Sequence, residues 1–148
     1  MTDGDKEVKS RSAAAAQRVE CGSMTENALG TLVLDAAFTV HRELGPALLE
    51  SVYEAALFYE IIERKLDVKR QVSIPIVYKG VPLPEGFRAD LIVENKVLIE
   101  LKSVFEIGPI HKKQTQTYLR LTGLKLGYLL NFGAAVMRAG ITRCVNAL

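Results

Sequence analysis

Hydrophobic residues in the first part of the chain recur at every third or fourth position, which is the spacing of amphipathic helices. This spacing predicts a first helix that Thr25 caps and that Gly45-Pro46 ends. A second helix is expected from Ala47 or Leu48 to about Leu66. Each helix combines an apolar stripe with a polar side, so each is expected to pack on one face of a larger core.

The rest of the chain contains the shorter, β-rich segments that are typical of strands. Strands are expected at residues 72–78, 88–93, 97–102, 126–132 and 141–145, with a helix at about 109–122. Pro75 favours an edge position for the first strand, and turn-forming residues fill positions 79–80 and 82–86. A helix between two strands indicates a right-handed crossover and hence a parallel pair. The order of elements therefore predicts an α/β protein with a mixed central sheet.

The register of the hairpin between residues 88 and 102 decides which side chains share a face. A three-residue loop, Glu94–Lys96, places Asp90 opposite Glu100. It collects apolar residues on the other face: Ala89, Leu91, Val93, Val97, Ile99 and Leu101. A two-residue loop would put charges on both faces, so the three-residue loop is predicted, with Asn95 in a left-handed conformation.

Three charged residues then converge on one face of two otherwise apolar strands: Asp90, Glu100 and Lys102. Carboxylate oxygens are suitable ligands for Mg²⁺ or Mn²⁺, and a lysine beside them can hold a water molecule or neutralise a phosphate oxygen. The alternative from spacing alone is a cross-strand charge cluster on a solvated face.

Two helices carry further candidate residues. Glu50 and Tyr53 are one turn apart, so Glu50 can add a third carboxylate and Tyr53 can contact the substrate, although a first-turn glutamate and a packing aromatic would look the same. His111, Gln114 and Tyr118 share one face of the later helix. There Gln114 can bond a phosphate or a base edge, Tyr118 can position substrate, and His111 can contact an anion. The alternative is an ordinary polar helix face.

Composition narrows the classes of function only slightly. The chain has 148 residues and a net charge of +2, which neither demands nor excludes nucleic acid. A local basic patch is available, with Arg88 able to add to it: Lys112, Lys113, Arg120 and Lys125. Cys21 and Cys144 lack zinc-like spacing, and free thiols in a reducing cytoplasm are expected.

Composition and hydrophobicity along the chain also predict its domain organisation. Residues 1–23 are polar with an alanine run, and a solvated, mostly disordered leader is expected there. Residues 24–148 are expected to form a single domain, and no segment has the length and hydrophobicity of a membrane span. Nothing in the sequence indicates whether the chain forms homo-oligomers.

Several separated motifs, in order along the chain, resemble the GxxExxY family, a compact branch of the PD-(D/E)XK nuclease-like superfamily. They are Ala36–Pro46, Leu48–Leu57, Phe87–Leu91, Ile99–Lys102 and Leu119–Gly123. The resemblance covers nearly everything from Thr25 to Leu148. It implies a restriction-endonuclease-like αβββαβ core, to which this chain adds an N-terminal helix.

The resemblance also implies roles for residues. Asp90 and Glu100 would bind a divalent metal with help from the Leu101 backbone carbonyl, and Lys102 would assist the attacking water. Glu50 matches the acidic residue of the first core helix. The auxiliary helix motif is matched by Gln114 and Tyr118.

One position departs from the family pattern, because Ala47 stands where the name-giving glycine is expected. Alanine fits there if the backbone is helical and is strained if φ is positive. We expect the helical case.

These observations predict a magnesium- or manganese-dependent nuclease acting on DNA or RNA. The competing hypothesis is a nucleic-acid- or protein-binding module that keeps the fold without turnover. The modest net charge favours that hypothesis, since proteins that track phosphates usually have a larger basic surface.

Overall fold

The structure is a computed structural model that describes residues 24–148. Its helices are α1 (Glu26–Leu44), α2 (Glu50–Glu63) and α3 (Pro109–Thr122). The strands are β1 (Val68–Tyr78), β2 (Val81–Val93), β3 (Val97–Lys102), β4 (Leu126–Asn131) and β5 (Ile141–Val145). A 3₁₀ turn, Met137–Gly140, precedes β5. The predicted leader and Cys21 lie outside the described residues.

The helix ends follow the local sequence signals. The Thr25 hydroxyl accepts a hydrogen bond from the Ala28 N–H at 3.2 Å, and Gly45, with φ 70°, ends α1. Pro109 opens α3 and Gly123 closes it in the left-handed conformation. The predicted boundaries of these two helices are therefore confirmed.

The five strands form one mixed sheet in the order β1-β2-β3-β4-β5. β3 and β4 are parallel, while the other neighbouring pairs are antiparallel. The predicted α/β class, the parallel β3–β4 pair and the edge position of Pro75 are confirmed. α1 and α2 pack on one face of the sheet, and α3 packs on the other with Leu119 and the buried free thiol of Cys144. Within residues 24–148, no helix is long and apolar enough to cross a membrane.

The predicted turn at residues 82–86 is wrong, because this stretch belongs to β2. Pro82 pairs with Val77, and the register then shifts between Ile74 and Ile76. The turn-forming residues are accommodated by this irregularity inside a long hairpin. Gly86 is required there, since a Cβ on it would lie 1.9 Å from the Ile74 carbonyl oxygen.

Strands β1 and β2 exchange faces near the middle of their pairing. Leu91 packs in the core under α1 and α2, whereas Ala89 packs in the cluster under α3. Placing Ala89 on the same face as Leu91 was therefore wrong. Arg70 pairs with Leu91, and Val72 pairs with Ala89. Gln71 lies between these two pairs and has a φ of 50°. This break in the regular alternation of β1 and β2 coincides with Asp90.

The loop between α1 and α2 contradicts the expected helical conformation of Ala47. Ala47 has a φ of 75°, and α2 begins only at Glu50. The buried Tyr53 hydroxyl donates to the Gly45 carbonyl and accepts from the Leu48 N–H. These tertiary contacts hold the loop outside the helical region, which local spacing does not encode.

The left-handed Ala47 gives a direct stability test. Ala47→Gly is expected to raise the free energy of unfolding by about 1 kcal/mol, because glycine has no Cβ penalty at positive φ. Ala55→Gly, at an exposed position inside α2, is the matched control and is expected to lower stability by about 0.5–1 kcal/mol. Urea denaturation measures both. Equal destabilisation by the two variants would contradict the left-handed conformation.

Candidate metal centre

The hairpin of β2 and β3 brings Asp90 and Glu100 together as its register predicts. Val93 pairs with Val97 and Leu91 with Ile99, so the Glu94–Lys96 loop has three residues. Asn95 is left-handed with φ 53°, as predicted, and Glu94 shares this conformation with φ 52°.

The backbone pairing of β2 with β3 ends at Leu91 and Ile99. Beyond this point, side chains form the hydrogen bonds between the two strands. The Leu101 N–H donates to Asp90 Oδ2 at 2.8 Å, and the Asp90 N–H donates to Glu100 Oε1 at 3.3 Å. The two carboxyl groups are also close enough to share a hydrogen bond. Each acid is thus held by the backbone of the opposite strand.

Burial makes this pair of acids difficult to ionise. Loss of solvent raises the pKa of Glu100 to about 8, and the neighbouring Asp90 charge contributes to the rise while Lys102 opposes it. Burial also raises the pKa of Asp90, with Glu54 and Glu50 adding to the effect. Near neutral pH the pair therefore retains a proton that a cation can displace.

The α2 side of the site contributes residues that the sequence analysis missed. Gln71 Nε2 donates to Glu54 Oε2 at 2.9 Å and to Asp90 Oδ1 at 3.3 Å, and so links the helix to the site. Glu54 is buried, with Arg70 Nε 3.4 Å from its Oε1. Its spacing of four from Glu50 was a usable signal, since i and i+4 share a helix face. Nothing in the sequence identified Gln71.

Glu50 lies exposed at the start of α2, within electrostatic range of Asp90. It lines a shallow cavity of about 410 Å³ with residues of the preceding loop and of the end of β3: Leu48, Leu49, Ser51 and Ser103. The Ser103 hydroxyl donates to the Leu48 carbonyl and joins the two segments.

Tyr53 is not positioned to bind substrate, which corrects the sequence expectation. Its side chain is 0% exposed and stacks on Phe132 with ring centroids 4.6 Å apart. Both hydrogen bonds of its hydroxyl go to the loop before α2. Tyr53 therefore fixes the loop from which Glu50 projects.

The α3 side brings two of the predicted helix residues to the centre. The Gln114 side-chain amide donates to the Tyr118 hydroxyl at 2.6 Å. Burial raises the pKa of Tyr118, and the Glu100 and Asp90 charges add to the rise. The Tyr118 ring stacks on Phe87 with centroids 3.6 Å apart and planes 4° apart. Sequence reasoning did not single out Phe87.

The structure also describes the remaining candidates, of which Lys102 is close to the acids. Lys102 is half-buried and close enough to Glu100 to lower its pKa. His111 Nδ1 accepts the Gly108 N–H at 3.1 Å, so this ring atom caps α3. Arg88 is exposed on β2 opposite Ser73.

A comparison with families of known proteins gives a match. The family model described as the PD-(D/E)XK nuclease superfamily matches residues 27–144. The chain belongs to the PD-(D/E)XK nuclease superfamily. Its mixed five-stranded sheet with helices on both faces is consistent with the restriction-endonuclease-like fold of that superfamily. No curated protein and no solved structure matches the chain.

PD-(D/E)XK nucleases typically use divalent metals, and the residues of this chain fit such an ion with a small ligand set. Among residues 24–148, no three His, Cys, Asp or Glu side chains are grouped to hold a metal. Two carboxylates do meet, however, and Mg²⁺ commonly takes one or two carboxylates while keeping several waters. Asp90 and Glu100 supply two such carboxylates.

The raised pKa of Glu100 predicts a pH-dependent stability in metal-free buffer. The folded protein binds this proton more tightly than the unfolded chain, so stability from this group is full below pH 4.5 and is lost progressively up to about pH 8. The loss is expected to be of the order of a few kcal/mol. Glu100→Gln is expected to remove this slope.

Urea denaturation from pH 5 to 8.5 in EDTA measures the effect. Glu85→Gln, at an exposed position in the β1–β2 hairpin, is the matched control and is expected to follow the wild-type profile. A Glu100→Gln profile parallel to the wild type would show that Glu100 ionises normally.

Proposed function

We propose that this chain is a divalent-metal-dependent nuclease that hydrolyses phosphodiester bonds in DNA or RNA. The observation that carries the proposal is the meeting of the Asp90 and Glu100 carboxyl groups beside Lys102. Two acids with raised pKa values are costly in a folded protein unless a cation or a reaction uses them. We also propose that the chain belongs to the GxxExxY branch, since Glu50 and Tyr53 retain its spacing.

Different residues of the chain would bind the metal and assist the reaction. Asp90, Glu100 and the Leu101 carbonyl would hold Mg²⁺ or Mn²⁺, with Glu50 as an additional carboxylate. A bound ion of this kind lowers the pKa of a water ligand and offsets charge on a phosphate. Lys102 shares the strand face of Glu100, where its ammonium can orient the attacking water or neutralise a phosphate oxygen.

Residues of α3 and β2 would contact the nucleic acid. Gln114 and Tyr118 form one hydrogen-bonded pair next to the acids, so a phosphate or sugar oxygen at this point can exchange with that bond. Arg88 and His111 supply cationic or donor groups at the edges of the site. A cytoplasmic location is part of the proposal and rests on the expectation of free thiols.

A non-catalytic binding module is the second candidate function. It is favoured by the lack of a three-acid cluster within the described residues and by the low net charge of +2. The two candidates differ in whether the acids bind a metal and whether a phosphodiester bond is broken, so two experiments separate them.

The first experiment measures cleavage of labelled single- and double-stranded DNA and RNA with Mg²⁺ or Mn²⁺. Asp90→Ala and Lys102→Ala are each expected to lower the rate by at least about 100-fold, which is typical for removal of a preorganised charge at a reacting centre. Lys79→Ala, exposed at the tip of the β1–β2 hairpin, is the control and is expected to retain the rate. Cleavage that survives both site variants would place the activity elsewhere.

The second experiment measures metal binding by calorimetry at pH 7 in buffers of different ionisation enthalpy. Because Glu100 is largely protonated at this pH, binding is expected to release up to about one proton, and the apparent enthalpy then depends on the buffer. Glu100→Gln and Asp90→Asn are each expected to abolish binding. No heat at millimolar Mg²⁺ or Mn²⁺ would support the binding module.

A further inference from the structure

An aromatic side chain stands almost free in solvent next to the candidate metal centre. Phe105, in the segment between β3 and α3, is 98% exposed, the highest value among the large hydrophobic residues described. A fully exposed phenylalanine contributes no core packing and leaves its ring surface in water. Neither the metal centre nor the packing of the fold accounts for it.

The backbone that carries Phe105 is held by a buried amide. Asn131, only 3% exposed at the end of β4, accepts the Val104 N–H at 3.0 Å through Oδ1. Its Nδ2 donates to the Val104 carbonyl at 2.9 Å, and its Oδ1 also accepts the Gly133 N–H at 3.0 Å. Gly133 has to be a glycine, since a Cβ there would lie 2.3 Å from the Val104 oxygen. The exposed ring is therefore presented from a fixed backbone.

The position of Phe105 relates it to Lys102, the lysine of the candidate site. Phe105 follows Lys102 by three positions, so the two Cα atoms are at most about 11 Å apart. That is the order of distance between a phosphate and the base of its own or the neighbouring nucleotide. This segment leads to α3, whose first two turns carry the exposed Lys112 and Lys113. Glu106 is the single acidic residue between β3 and the end of α3.

We propose that Phe105 is a stacking surface for an unpaired nucleobase, so that the site takes single-stranded nucleic acid. This inference rests on the proposed nuclease function. Every base has a face on which a ring can stack, but in a duplex the neighbouring pairs cover these faces. A ring carried by a fixed backbone also binds at a lower ordering cost than one on a mobile loop. The lysines on α3 favour a polyanion over an apolar protein surface as the occupant.

The test compares Phe105→Ala and Phe105→Leu with the full-length wild-type chain in EDTA, where no cleavage can occur. Fluorescence anisotropy measures binding of a labelled 12-nucleotide single strand, a hairpin duplex and a single strand without bases. Both variants are expected to bind the single strand about 5- to 150-fold more weakly, the range expected for one lost stacking contact. Duplex affinity is expected to stay unchanged. The wild type and Phe105→Ala are expected to bind the base-free strand with the same, weak affinity.

Two controls keep the result interpretable. Tyr78→Ala removes another exposed aromatic, at the tip of the β1–β2 hairpin, and is expected to bind as the wild type does. Phe105→Trp is expected to bind normally, with its indole fluorescence quenched by the single strand. Equal affinity of Phe105→Ala and wild type for the single strand would overturn the proposal. So would an emission shift of the Phe105→Trp variant that depends on protein concentration without nucleic acid, because it would assign the ring to a second copy of the chain.

The same samples, given Mg²⁺, separate this proposal from the nuclease function. Base-dependent binding through Phe105 without any cleavage would support the stacking surface and refute the nuclease. Cleavage that depends on Asp90 but not on Phe105, with equal rates on single strands and duplexes, would support the nuclease and refute the stacking surface.

Discussion

The candidate site depends on one constraint, which is that two carboxyl groups are held together where the β2–β3 ladder ends. Asp90 is fixed by the Leu101 N–H, and Glu100 accepts the N–H of Asp90. Each bond anchors an acid to the opposite strand, so neither side chain can swing away without breaking the end of the hairpin. Burial then raises both pKa values, because each carboxylate loses its solvent and lies near other negative charges.

The two faces of the sheet support this pair in different ways. On the α2 face, Gln71 connects Asp90 to the buried Glu54. On the α3 face, Tyr118 stacks on Phe87 and lies within electrostatic range of Glu100. The exchange of faces near Gln71 and Asp90 allows both helices to reach one centre. The left-handed φ of Gln71 is consistent with the local backbone strain that often accompanies functional sites.

Much of the fold was predictable because its signals are local. The caps of α1 and α3 are single residues with a known preference, and the hairpin register follows from strict alternation in a strand with one buried face. The errors occurred where contacts between neighbouring elements override the conformational preference of a single residue. Ala47 is held at positive φ by Tyr53, the residues at 82–86 are paired by β1, and Ala89 changes face at an irregularity in both strands.

By itself, the sequence determined that Asp90 and Glu100 face each other beside Lys102, since alternation and loop length suffice for that. Only the tertiary structure decided the surroundings of the acids: Glu54, Gln71, Phe87 and the buried Tyr53. It alone decided that the pKa of Glu100 lies near 8. The physical reason is that desolvation and charge–charge energies depend on which helices cover the sheet and how closely, and no local pattern records those distances.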